Sequence, residues 1–151
     1  MPPMSPVRRL TLVRFAAAIT IGNLAWEVAH MPLYTLWLTG TWSGIAYAVI
    51  HCAAGDVIIA SLCLGGALVL FGRAGWPEQN YATVAAATII ASLCYTVFSE
   101  WLNIEVRAAW AYRDIMPLVP PFGTGLTPFL QWIIVPSAAF LWAAPRRTKV
   151  R

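Results

Sequence analysis

The chain has 151 residues, of which 60% are hydrophobic and only 11% are charged, and its formal net charge at pH 7 is +4. About a quarter of the residues of soluble domains are charged, so this composition excludes a soluble globule and indicates a single integral membrane domain over residues 1–151. The positive charge does not indicate a nucleic-acid partner, because the basic residues form no stripe or binding motif.

Four apolar segments are long enough to cross a bilayer, which takes about 20 residues of helix. A short turn near Gly40 joins the first two segments, and a loop that contains glycine and proline joins the second and third. We expect the third helix to extend past the membrane to about residue 115, since no proline or glycine occurs between residues 82 and 116. The predicted fold is an all-α, polytopic four-helix bundle with spans at residues 15–38, 45–71, 82–103 and 126–144.

The distribution of basic residues predicts how the bundle is oriented. With four spans, both chain termini lie on the same side of the membrane as the loop between the second and third spans. That side carries eight basic residues, whereas the other side carries two, Arg107 and Arg113, with Glu105 and Asp114 beside them. Since basic residues are enriched in cytoplasmic segments, we expect both termini to be basic tails in the cytoplasm. The membrane is then expected to be the cell inner membrane. The eight residues are Arg8, Arg9, Arg14, Arg73, Arg146, Arg147, Lys149 and Arg151.

Each predicted span carries polar residues on one helical face. In the first span they recur at intervals of four, three and four residues, which places them on the same side of a helix. Polar stripes on four membrane helices are accommodated when they face the bundle interior. The sequence therefore predicts a polar pocket whose ligand-binding residues are Asn23, Glu27, His30, Tyr34, Tyr47, His51, Asp56, Glu100, Asn103, Arg107 and Gln131.

The hairpin formed by the first two spans predicts the depth of this pocket. His30 and His51 lie at about equal distances from the turn near Gly40, which corresponds to about 15 Å along each helix. Glu27 and Asp56 lie slightly deeper. The pocket is therefore expected in the half of the bundle that faces outward.

Several of the predicted pocket residues are of types that ligate metal ions in proteins. Glu27 and His30 have the Glu-x-x-His spacing of di-iron helical bundles, and His51 and Glu100 add a further imidazole and carboxylate. Together these four residues predict a site for a divalent metal ion. Two histidines at one depth are also the axial ligands of a haem, which the nearby carboxylates disfavour. A hydrogen-bonded cluster that only orients the helices accounts for the same residues.

Glu27 and Asp56 are the candidate catalytic residues if the protein is an enzyme, because a buried neutral carboxyl can donate a proton. The segment "NLAWE", residues 23–27, resembles a short motif around an acidic residue in the membrane-bound isoprenoid cyclases of fungi and bacteria. This resemblance implies that Glu27 takes part in acid catalysis on an isoprenoid or another lipid. It covers five residues, and those cyclases have more membrane spans than this chain.

Three hypotheses of function remain open at this point. The leading one is a binding module that holds a cation or a lipid-like small molecule, alone, as a homo-oligomer or as an accessory subunit of a larger membrane complex. The second is a small membrane enzyme that uses a buried carboxyl as a general acid. The third is a structural subunit without a ligand. In all three, the lipid bilayer surrounds the chain.

Overall fold

Helices make up most of the computed structural model, which describes residues 4–145. Four helical segments are long and apolar enough to cross a membrane, so the described residues are consistent with the all-α bundle and the four candidate spans that the sequence predicts. The predicted basic tail beyond residue 145 lies outside the described residues. In chain order the elements are α1 (Pro6–His30), a 3-10 turn (Met31–Leu33), α2 (Leu36–Thr39), α3 (Trp42–Phe71), α4 (Tyr81–Trp101), a π-helical turn (Leu102–Val106), β1 (Leu118–Val119), β2 (Thr124–Gly125) and α5 (Leu126–Ala143).

The first helix begins and ends earlier than the sequence predicts. Ser5 caps its first turn, since its hydroxyl oxygen accepts a hydrogen bond from the backbone N–H of Arg8 at 3.2 Å, and Pro6 occupies the first helical position. The helix ends at His30 because Pro32 lacks the N–H that a further turn of α-helix requires. The prediction of one helix over residues 15–38 was therefore wrong at both ends.

The predicted extension of the third span to about residue 115 is also wrong. Regular helix ends at Trp101, a π-helical turn follows at Leu102–Val106, and Ala108 adopts a left-handed backbone conformation with φ +48°. The absence of proline and glycine permits a helix but does not require one. The backbone here forms hydrogen bonds with another part of the chain instead.

Residues 107–125 form a segment that we call the cap, because it crosses the end of the bundle where α1 ends and α5 begins. Its backbone pairs with the chain after α1, with hydrogen bonds from the N–H of Thr35 to the carbonyl of Ala111 at 3.0 Å and from the N–H of Arg113 to the carbonyl of Leu33 at 2.9 Å. Its final part is an antiparallel hairpin of β1 and β2. These bonds fix the cap over the polar end of the bundle.

The four long helices form a ring in which α1 contacts α3 and α5, and α4 contacts the same two helices. The contact between α1 and α5 is close at Gly22, where an added Cβ would lie 2.8 Å from Cγ1 of Val135. Small residues permit such approaches between membrane helices. The main apolar core comprises Phe15, Ile19, Ala60, Leu64, Ala67, Trp76, Val84, Trp132, Val135, Ala139, Phe140 and Ala143.

Candidate functional site

A cavity of about 460 Å³ lies between the four long helices at the end that the cap covers. Ten of the eleven predicted pocket residues line it. The exception is Asn23, which is 1% exposed and whose side chain bonds to Gln131, so its predicted place in the cavity wall is wrong. The ten lining residues are Glu27, His30, Tyr34, Tyr47, His51, Asp56, Glu100, Asn103, Arg107 and Gln131.

The side chain of Gln131 connects three helices at the base of this cavity. Its Nε2 atom donates to Oδ1 of Asn23 at 3.0 Å, to Oε1 of Glu27 at 3.2 Å and to Oδ2 of Asp56 at 2.9 Å. An amide nitrogen has two hydrogens, so the three acceptors share them. Gln131 is 2% exposed, and α5 thereby fixes the positions of acceptors on α1 and α3.

This arrangement holds the carboxyl groups of Glu27 and Asp56 side by side. Two ionised carboxylates at such a short separation repel each other strongly where water is scarce. The pair is relieved when it shares a proton or when a positive charge lies next to it. The site is therefore suited to hold a cation or to transfer a proton.

The imidazole of His30 is committed to the same carboxyl pair. Its Nε2 atom lies 3.1 Å from Oε2 of Glu27, one helical turn away on α1. The ring is 6% exposed and lies edge-on to the ring of Tyr34, with 5.1 Å between the ring centroids. Both carboxylate oxygens of Glu27 thus have a partner, one on α1 and one on α5.

Glu100 is held by a residue of the cap that the sequence analysis did not identify. The hydroxyl of Tyr112 donates to Oε2 of Glu100 and accepts a hydrogen bond from the backbone N–H of Gly125 at 2.9 Å. Burial raises the pKa of Tyr112, and the negative charge of Glu100 raises it further, so the phenol remains a donor. An added Cβ on Gly125 would lie 2.9 Å from the Tyr112 ring, which explains the glycine at this position.

Arg113 is the second functional contact of the cap that sequence reasoning missed. Its Nη1 atom donates to the backbone carbonyl of Pro32 at 2.6 Å, whereas the sequence placed it on an exposed helix. The ring of Tyr112 lies 5.4 Å from that of Tyr34. The cap therefore contacts the turn that follows α1 through a guanidinium group, backbone pairing and two tilted aromatic rings.

His51 has a different environment from His30. It is exposed and stacks on Tyr47, with 5.5 Å between the ring centroids. Tyr47 on α3 is 69% exposed and Tyr95 on α4 is 45% exposed, although both also line the cavity. The cavity is thus open on the side between α3 and α4.

The predicted metal site is not assembled. Among residues 4–145, no group of three or more His, Cys, Asp or Glu side chains is arranged to hold a metal ion. Glu27 and His30 bond to each other, Glu100 bonds to Tyr112, and His51 is exposed. The Glu-x-x-His pair is hydrogen-bonded to itself in this arrangement, and the ligation of one ion by Glu27, His30, His51 and Glu100 stays a prediction.

Comparisons of the chain with family models, with curated proteins and with solved structures found no match.

Proposed function

We propose that the protein is a membrane binding module whose cavity holds an organic cation. The observation that carries this proposal is the carboxyl pair of Glu27 and Asp56 beside an open cavity. A cavity of about 460 Å³ is within the range of roughly 300–1,000 Å³ that ligand pockets occupy. A bound cation would relieve the repulsion between the two carboxylates.

The remaining lining groups fit the same ligand. Glu100 adds a third carboxyl, whereas Arg107 contributes the single permanent positive charge among the residues that line the cavity. The rings of Tyr34, Tyr47 and Trp132 also line it, and aromatic faces attract organic cations. The wall is therefore acidic and aromatic.

The charge distribution supports an orientation for this module. Within the described residues, Arg8, Arg9, Arg14 and Arg73 lie on α1 or on the loop at the end of the bundle opposite the cap. Following the preference for basic residues on the cytoplasmic side, the cap and the cavity face outward from the cell inner membrane, and both chain termini face the cytoplasm. The module acts alone, as a homo-oligomer or in a larger membrane complex, and co-purification in mild detergent distinguishes these arrangements.

A direct test measures binding of labelled tetramethylammonium to the protein in nanodiscs of neutral lipid by equilibrium dialysis. Glu27→Gln and Asp56→Asn should each weaken binding at least about tenfold, or about 1.4 kcal/mol. Glu78→Gln removes one negative charge from an exposed loop position and should leave binding unchanged. No saturable binding by the wild-type protein, or an equal loss in Glu78→Gln, would refute the proposal.

A second candidate function, a membrane enzyme, is favoured by one observation. Asn23 and Glu27, the two polar residues of the "NLAWE" segment, both bond to Gln131 beside Asp56, so the residues that resemble the cyclase motif belong to the carboxyl pair. In this proposal a protonated carboxyl gives its proton to an alkene carbon of an isoprenoid, and the carboxylate accepts a proton after the new carbon–carbon bond forms. Mass spectrometry of geranylgeraniol incubated with the protein tests it: cyclic isomers formed by the wild type and lost in Glu27→Gln support the enzyme, and an unchanged substrate contradicts it.

A further inference from the structure

The opening between α3 and α4 indicates the class of ligand and its route to the site, which the carboxyl pair does not. Tyr47, His51 and Gly55 form one stripe on α3, and together with Tyr95 on α4 they line the cavity. An added Cβ on Gly55 would meet no atom within 4 Å. Because Tyr47 and Tyr95 line the cavity and are also exposed, the cavity has a gap between the two helices at this level, and Gly55 places no side chain in it.

This gap lies at the depth of the lipid chains. Tyr47 is about 8 Å and Gly55 about 20 Å along α3 from its first residue, Trp42, at a rise of about 1.5 Å per residue. Beside the exposed rings of the gap, the same helix segments expose large apolar side chains, with Ile50 64% exposed and Phe98 52% exposed. Apolar side chains of this kind contact lipid in a bilayer, so a gap among them would open toward the hydrocarbon region.

The cavity has a second exposed border at the cap, where Arg107 and Ala109 line it and are exposed. The guanidinium of Arg107 repels a cation that approaches from this end. By contrast, the side gap is bordered by the rings of Tyr47 and Tyr95, which are attractive to a cationic head and compatible with an alkyl chain. The two borders thus favour different ligands.

We propose that the ligand is a membrane amphiphile with a cationic head, which enters from the bilayer through the gap between α3 and α4. The head lies at Glu27 and Asp56, and the alkyl chain passes between Tyr47 and Tyr95 and remains in lipid. This inference rests on the proposed function, since it requires the carboxyl pair to bind a cation. It adds the class of the ligand and the route by which it reaches the site.

Photolabelling locates the chain. The probe is dodecyltrimethylammonium with a diazirine at the middle of its chain, added to the protein in nanodiscs, and labelled residues are identified by mass spectrometry. We expect labelling at Tyr47, His51 or Tyr95 that excess unlabelled dodecyltrimethylammonium suppresses at least fivefold. Labelling of Leu62, which is 70% exposed on the lipid-facing side of α3, should not be suppressed.

A pair of glycine variants on α3 provides a matched control. Gly55→Leu places a side chain in the gap, whereas Gly65→Leu places the same side chain on the same helix at a position that also has no atom within 4 Å of an added Cβ and that does not line the cavity. Gly55→Leu should abolish the suppressible labelling, and Gly65→Leu should retain it.

The outcomes separate this inference from the proposed function. Suppressible labelling of Ala109 and its neighbours in the cap, together with tetramethylammonium binding that depends on Glu27, would overturn the side route and leave the binding module intact. Suppressible labelling that Glu27→Gln does not weaken, together with tetramethylammonium binding that Glu27→Gln leaves unchanged, would place the head elsewhere and overturn both. Equal effects of Gly55→Leu and Gly65→Leu would also contradict a chain in the gap.

Discussion

Replacing Gln131 with methionine tests the hydrogen-bond network at the base of the cavity. Methionine has similar length and volume but cannot donate a hydrogen bond, so packing against the apolar core is largely kept. The substitution removes the donor that Asn23, Glu27 and Asp56 share. Because Gln131 is 2% exposed, water does not readily replace it.

The expected loss of stability follows from the number of hydrogens involved. The Gln131 amide has two hydrogens, so at most two full hydrogen bonds disappear. Hydrogen bonds to charged groups contribute roughly 1.5–3 kcal/mol in soluble proteins, whereas those between membrane helices average about 0.6 kcal/mol. We therefore expect Gln131→Met to lower the free energy of unfolding by about 1–3 kcal/mol.

Reversible unfolding by sodium dodecyl sulfate in mixed micelles measures this difference. Ser61→Ala is the control, because Ser61 is exposed and its hydroxyl donates only to the carbonyl of Val57 in its own helix; a change below about 0.5 kcal/mol is expected. A double-mutant cycle of Gln131→Met with Asp56→Asn should give a coupling energy above about 0.5 kcal/mol. Unchanged stability in Gln131→Met, or zero coupling, would show that the amide does not connect α5 to α3.

Two further substitutions address the cap and the contact between helices. Tyr112→Phe leaves the buried carboxyl of Glu100 without its donor and should cost about 1–3 kcal/mol in the same unfolding assay. Since burial raises the pKa of Tyr112, its stabilising contribution is fully present below about pH 10 and is lost as the pH rises further, so the difference in stability between wild type and Tyr112→Phe should shrink in alkali; a constant difference would contradict this. Gly22→Leu should cost about 1–3 kcal/mol through the contact with Val135, whereas Gly65→Leu, which meets no neighbouring atom, should not; equal losses would mean that α1 and α5 are not in close contact at this point.

The sequence predicted the spans because the bilayer imposes a minimum apolar length on each of them. It did not predict the ends of the helices, which depend on local hydrogen bonds. The first turns of α1 contain Arg8 and Arg9, so a search for apolar residues excluded them, although Ser5 and Pro6 are the cap and start signals of a helix. The end of α4 had no such signal, because the chain after Val106 is held by backbone bonds to a distant segment.

Helical periodicity predicted which residues of the candidate site share one inward face of a helix. Regular spacing places Glu27 and His30 on one face of α1, and the cost of exposing them to lipid requires that face to point inward. Periodicity does not show which polar atoms meet within the bundle, so His30 was assigned to a metal although it bonds to Glu27. Tyr112 and Arg113 were missed because contacts of an irregular segment leave no periodic pattern.

The geometry of the cavity favours a binding function over a purely structural one. A polar cluster that only orients helices needs few groups, and the bond between Asn23 and Gln131 already joins α1 to α5 without a charge. Glu27 and Asp56 add two carboxyls to that pair. Placing one unpaired charge at the centre of a bilayer costs at least roughly 2.5 kcal/mol. A structural cluster would also close around its polar atoms, whereas these carboxyls border a cavity of about 460 Å³. A shared proton or a positive charge beside the two carboxyls relieves their repulsion. A bound cation would do so from the cavity and would stabilise the bundle, because a ligand that binds the folded state adds to its stability.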